Sequence, residues 1–150
     1  MNEKIISIIS TYEKVGDFMG GVNEDTIQEA AQILNITFPK SYHWFLKQYG
    51  SGGLKGMDIH GCETTAADSS VVYHTQLYRE KYNLPVQYIV LEDIDGCVSC
   101  LDTNQMNDGE CPVVSWSRFS KELYAITYES FSEYLLDYLQ ECVDNCYDED

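Results

Sequence analysis

The sequence predicts an α+β fold: a mostly antiparallel sheet with helices packed on one face, in a single domain spanning residues 1–150. Three observations lead there. The chain's 150 residues make one ordinary domain, and a chain of that size buries roughly 68–70% of its unfolded surface, enough for its own core. Its 44% hydrophobic and 13% aromatic content exclude disorder for the body of the chain. Helix-period segments come first, strand-like runs follow in quick succession, and a helix comes last, which is not the alternation of a doubly wound nucleotide-binding fold.

Residues 4–14 carry Ile5, Ile8, Ile9 and Tyr12 at helical spacing and predict a first amphipathic helix. Asn23 is a good N-cap for a second, with Glu24 and Asp25 on the positive end of its dipole and Ile27, Ala30, Ala31 and Leu34 as its apolar stripe. Pro39 suits the first turn of a third helix, where Tyr42, Phe45, Leu46 and Tyr49 face inward and Gly50 gives a left-handed stop. Residues 54–61, with Leu54, Met57 and Ile59 apolar, read as a strand. Residues 70–82 read as a helix with Val71, Val72, Leu77 and Tyr78 inward and Arg79, Glu80 and Lys81 outward, ended by Asn83-Leu84-Pro85. Three strands follow at 88–92, 97–102 and 112–116, separated by the turn-prone pairs Asp95-Gly96 and Asp108-Gly109. A last helix over 130–143 buries Phe131, Tyr134, Leu135, Tyr138, Leu139 and Cys142, with Ser130 and Glu133 placed as a capping box. The end of the chain, about 144–150, is an acidic tail, of which Tyr147-Asp148-Glu149-Asp150 reads as frayed.

Charge narrows the function classes. Nine Lys and Arg stand against 25 Asp and Glu, a formal net charge of −16. No basic residue lies between Lys81 and Arg118, but Glu92, Asp93, Asp95, Asp102, Asp108 and Glu110 do. A field of this sign repels phosphate backbones, which argues against direct binding to nucleic acid or anionic lipid; it suits a basic protein partner, and equally a surface whose acidity serves only solubility. No apolar run is long enough to span a membrane, and the N-terminus lacks a signal-peptide pattern, so a soluble cytoplasmic domain is expected.

The six cysteines offer a chemical alternative. Cys97 and Cys100 have zinc-knuckle or redox spacing, and Cys142 and Cys146 share a helical face, so the four could be drawn as one zinc site. Residues three apart on a strand point to opposite faces, and no glycine knuckle separates the first pair, so packed thiols are the better reading. His43, His60 and His74 complete no metalloprotease spacing, and His60 with Cys62 lacks a third group to orient a nucleophile. The Ser51–Gly56 stretch follows a helix and precedes a strand, the reverse of a phosphate cradle, and reads as a structural turn. Glu92-Asp93-Ile94-Asp95 lacks the glycine and distal glutamate of a calcium loop and reads as an acidic rim. No cofactor and no metal are expected.

The segment Ile36-Thr37-Phe38-Pro39-Lys40-Ser41-Tyr42-His43-Trp44-Phe45-Leu46-Lys47-Gln48-Tyr49-Gly50-Ser51-Gly52-Gly53 resembles the signature of the SUKH superfamily. There a helix entered by proline and carrying Tyr and Phe-Leu ends in a glycine-rich turn. Leu91-Glu92-Asp93 and the stretch from Cys100-Leu101-Asp102-Thr103-Asn104 to Trp116 resemble the family's later strands, in detail those of YobK-type immunity proteins of bacilli. The likeness runs from about Thr26 to Phe131, and departs where Gly50 stands for the Asn-Gly pair of many members.

The resemblance implies an α+β fold and a non-catalytic immunity protein that binds and neutralises a cognate secreted toxin, with a basic nuclease domain as the expected partner. The contact residues expected from the acidity are Glu92, Asp93, Asp95, Asp102, Asp108 and Glu110, with Trp116 as an aromatic anchor that could equally sit in the core. The alternative function is an intracellular scaffold or regulator unrelated to toxins. An enzyme using Glu92 and Asp93 is the weakest reading.

Overall fold

The first helix, α1 (Asn2–Tyr12), turns Ile5 and Ile9 inward. It belongs to a computed structural model that describes residues 2–12, 14, 16–62 and 70–147. The helix starts and ends two residues before the sequence pattern suggests. The remaining helices are α2 (Glu24–Leu34), α3 (Lys40–Gln48), α4 (Val71–Tyr82) and α5 (Phe131–Cys142). A two-stranded ribbon pairs β1 (Asp17–Phe18) with β2 (Gly52–Gly53). The main sheet is an antiparallel meander in the order β3 (Tyr88–Ile94), β4 (Cys97–Asp102), β5 (Val113–Ser117), β6 (Leu123–Tyr128). The α+β class holds.

Local signals account for most boundaries. The Asn23 side chain accepts from the Thr26 amide at 2.9 Å, and Ser70 accepts from Tyr73 at 3.2 Å, each satisfying an orphan donor of a helix start. Ser130 caps α5 by accepting from Glu133 at 3.3 Å, while the Glu133 carboxylate reaches back to the Glu129 amide at 3.1 Å. Asp95-Gly96 and Asp108-Gly109 all have positive φ (52°, 91°, 56° and 82°), the conformation a two-residue type I′ hairpin requires. Gly50, at φ 81°, ends α3 with its Cα so close to Gly20 that an added Cβ would stand 2.1 Å from the Gly20 carbonyl oxygen.

Two expectations are corrected. Residues 54–57 form a turn, closed by the Met57 amide on the Leu54 carbonyl at 2.9 Å, and beyond it Ile59 and Gly61 make only isolated bridges to Gly52 and Ser70, so 54–61 is not a regular strand. Gly56 at φ 92° breaks the extended path, so the apolar spacing of Leu54, Met57 and Ile59 reflects burial without a ladder. Arg79 is half-buried instead of outward: its guanidinium donates to the Val86 carbonyl at 2.6 Å and to the Leu34 carbonyl at 3.4 Å, where a cation suits the C-terminal end of α2.

Strand alternation divides the sheet's apolar residues between two cores. Ile89, Leu101 and Val113 are cross-strand partners and join Ile5, Ile27, Tyr42, Phe45, Phe131 and Leu135 in the main core. Val90, Cys100 and Val114 are partners on the other face and pack with Val98, Trp116 and Tyr88 beneath Tyr78 of α4 and Leu84. The α4 helix lies along the free side of β3. The Val90 amide donates to the Thr75 hydroxyl at 3.0 Å, and the His60 amide donates to the Leu91 carbonyl at 2.9 Å. That edge of the sheet is therefore covered at Val90 and Leu91.

Candidate functional site

The seven residues expected to form a contact surface divide by position. Glu92 is buried in β3, just after a register shift between Val90 and Glu92. Its carboxylate accepts from the Tyr138 hydroxyl of α5 at 2.7 Å and from the Asp58 amide at 2.9 Å. Burial raises its pKa above the ordinary carboxylate value, and those two hydrogen bonds only partly oppose the rise. Asp93, next along the strand, bonds to α4 instead: it accepts from the Tyr78 hydroxyl, from the Gly96 amide at 2.8 Å and from Arg118 Nε at 2.9 Å. Burial would raise the Asp93 pKa, but these bonds and the Arg118 charge outweigh it, leaving the carboxyl below its usual value.

Asp102 is buried and holds a short 3-10 turn, Thr103–Gln105, accepting from the Asn104 amide at 3.2 Å and the Gln105 side chain at 2.8 Å. Glu110 serves α3. That helix begins after Pro39, which offers no capping side chain. Its first two amides are met instead by the Asn107–Glu110 hairpin: Lys40 donates to the Gly109 carbonyl at 2.8 Å, and Ser41 donates to the Glu110 carboxylate from its amide at 3.1 Å and its hydroxyl at 2.7 Å. Trp116 is 2% exposed, inside the second core. Asp95 and Asp108 are the two of the seven that are fully exposed, each on the crown of its turn and without an ion-pair partner among the described residues.

The end of β3 also borders a polar cleft of about 390 Å³, where Asp58, His60, His74, Tyr78 and Arg118 join Glu92, Asp93 and Asp95. The His60 and His74 rings stack at 4.1 Å with an interplanar angle of 6°. Arg118 lies 5.3 Å from the Tyr82 ring and 4.8 Å from the Phe119 ring, so it is spread over aromatic faces while paired to Asp93. Two of the carboxylates are thus already engaged by the fold. Among the described residues no group of three or more His, Cys, Asp or Glu side chains is placed to hold a metal ion.

The thiols are arranged for packing. Cys97 is exposed and Cys100 buried, on opposite faces of β4, and Cys142 is buried on α5, while the Cys146 side chain lies outside the described residues. Burial pushes the Cys100 thiol well up and the Cys111 thiol up to about 12, which keeps both protonated and poor as nucleophiles. The acidic tail falls partly outside the described residues as well, at 148–150. No helix among the described residues is long and apolar enough to cross a membrane.

One surface was not expected. Strand β6 is the outer strand of the meander; Leu123 to Thr127 are all exposed and Tyr128 is half-buried. Leu123 is 49% exposed, Tyr124 75% and Ile126 60%. Four β-forming residues in a run of six, Tyr124, Ile126, Thr127 and Tyr128, were the sequence signal for it.

A protein-family model described as SUKH_5: SMI1-KNR4 cell-wall matches residues 1–140 of the chain, covering α1 to α4, both sheets and all but the last two residues of α5.

Proposed function

The chain belongs to this SMI1-KNR4 (SUKH) family, and from that premise we propose that it is a non-catalytic immunity protein of the YobK type, which binds and neutralises a cognate secreted toxin. The partner is a basic domain, a nuclease by preference. A nuclease presents Lys and Arg to its substrate, and rigidly held carboxylates compete for that surface as substitutes for phosphate. The observation that carries the reading is the −16 net charge combined with acids such as Asp95, Asp108, Glu122 and Glu129, which are exposed and lack an ion-pair partner among the described residues. Asp95 and Asp108 are the direct contacts of the original seven. Glu92, Asp93, Asp102, Glu110 and Trp116 hold the turns and the sheet that present them.

An interface of ordinary size buries roughly 1,600 Å² in total. Its association is steered by charge, so the rate falls steeply as salt screens the field beyond about 8 Å. The test is to mix the purified protein with the product of the gene adjacent to its own and measure association at low and high salt. A complex whose association rate drops with salt supports the reading; no complex at low salt overturns it.

A further inference from the structure

We propose that β6 is a strand-docking edge: the partner adds an extended, cationic segment antiparallel to Leu123–Tyr128, extending the sheet by one strand. This rests on the reading of the protein as a binder of a basic polypeptide and assigns the place and manner of contact. The two sides of the sheet are treated differently. The main chain of β3 is covered by hydrogen bonds from Thr75 and His60. Among the described residues, the main chain of Leu123–Tyr128 makes hydrogen bonds only toward β5, so its outer donors and acceptors remain open. Six residues at about 3.3 Å each give roughly 20 Å, the length of an ordinary strand partner.

Side chains specify what fits. Leu123 and Ile126 pair across the sheet with Trp116 and Val114, so they extend the second core's face outward into solvent. An added strand that follows the irregularity between Leu123 and Ala125 and sets apolar side chains beside Leu123 and Ile126 covers them. The charges around this edge are negative: Glu122 and Glu129 bracket β6, and Glu110 and Glu129 line a groove beside Ile126. Asp95 lines the groove beside Tyr124 at the other end. Among the described residues Arg118 is bound to Asp93, and the cations near this edge outside an ion pair are Lys121, just before β6, and Lys40, whose side chain lies over Gly109. A segment alternating Lys or Arg with Val or Ile satisfies both demands.

A second copy of this chain does not. In a centred antiparallel pairing of β6 with itself, Glu122 of one copy faces Glu129 of the other twice over, like charges directly opposed. Each copy also brings a net −16.

The experiment uses the full chain and three synthetic heptapeptides: Lys-Val-Lys-Val-Lys-Val-Lys, the same peptide N-methylated at every residue after the first, and its Glu counterpart. Amide hydrogen exchange is read for residues 123–128 at low salt. The expected result is slowing of β6 exchange, tenfold or more at saturation, by the first peptide alone. Equal binding by the N-methylated peptide means charge attraction without strand pairing and overturns the proposal. So does protection located elsewhere, absence of binding, or concentration-dependent dimerisation that protects β6 without peptide. With the neighbouring gene product, Ile126→Lys is expected to weaken binding about tenfold or more while leaving the fold intact, because Ile126 is 60% exposed. Unchanged affinity sinks the β6 assignment and leaves the immunity reading standing. Failure of the wild-type chain to bind that partner sinks the immunity reading, whereas the peptide result judges the edge by itself.

Discussion

Removing the Glu110 carboxylate is expected to destabilise a helix 69 residues away in sequence. In the sequence Glu110 reads as a contact residue; in the fold it supplies the N-terminal cap that Pro39 cannot. It accepts from the Ser41 amide at 3.1 Å and from the Ser41 hydroxyl at 2.7 Å. Hydrogen bonds to a charged group contribute about 1.5–3 kcal/mol each, and a carboxylate at a helix N-terminus about 0.3–1 kcal/mol. Both bonds come from one half-exposed carboxylate, so the low end applies, and Glu110→Ala costs about 2 kcal/mol. For a domain of this size 1 kcal/mol shifts Tm by about 2–4 °C, which gives a drop of about 4–8 °C. Glu110→Gln retains one acceptor and loses the charge, and falls by about half as much. Thermal unfolding followed by far-ultraviolet circular dichroism measures both. An Ala variant that melts within about 1 °C of the wild type but binds the basic partner poorly would refute the capping argument and restore Glu110 to the contact surface.

Acid titration separates two kinds of carboxylate. Glu24 accepts from Gln28 and lies beside His43 and Lys47, and its pKa falls from 4.5 to about 2; Asp93 is also lowered. A depressed folded-state pKa stabilises above the unfolded value, so the Glu24 contribution is present above about pH 4.5 and disappears as pH falls toward 2, and Asp93 acts in the same direction. Glu92 has the opposite sign: its pKa is raised, so its contribution is full below 4.5 and is lost as pH climbs through the raised value. The difference in Tm between wild type and Glu24→Gln is expected to shrink steadily from pH 4.5 to 2, and a widening gap over that range would contradict the assignment. Asp95→Asn combined with Asp108→Asn is expected to leave Tm within about 2 °C, because Asn tolerates positive φ, while lowering the association rate with the basic partner and its salt dependence. A large loss of Tm would instead make these turns structural.

What was legible in the sequence was legible for local reasons. The i, i+3, i+4, i+7 pattern of Tyr42, Phe45, Leu46 and Tyr49 with Gly50 behind it placed α3, and the Asp-Gly pairs placed two turns, because in each case the deciding residues are neighbours along the chain. Strand β6 escaped because its apolar residues are exposed and alternate with nothing buried, so no period-2 pattern marks it. The strand read at 54–61 had the converse fault, apolar residues buried around a turn. The roles of the acids were illegible because their partners are remote: Glu92 meets Tyr138 46 residues on, and Asp93 meets Arg118 25 residues on. Composition counts charges and is silent about which of them the fold consumes.

The unequal edges of the main sheet set a limit on assembly. Thr75 and His60 occupy the β3 side, so a strand can be gained at β6 but never at both ends. A chain whose sheet has one receptive end cannot polymerise by repeated edge-to-edge addition of its own copies, because its β3 side offers no second site. The exposed hydrophobic strand can thus remain available to another polypeptide without opening a route to fibrous polymers.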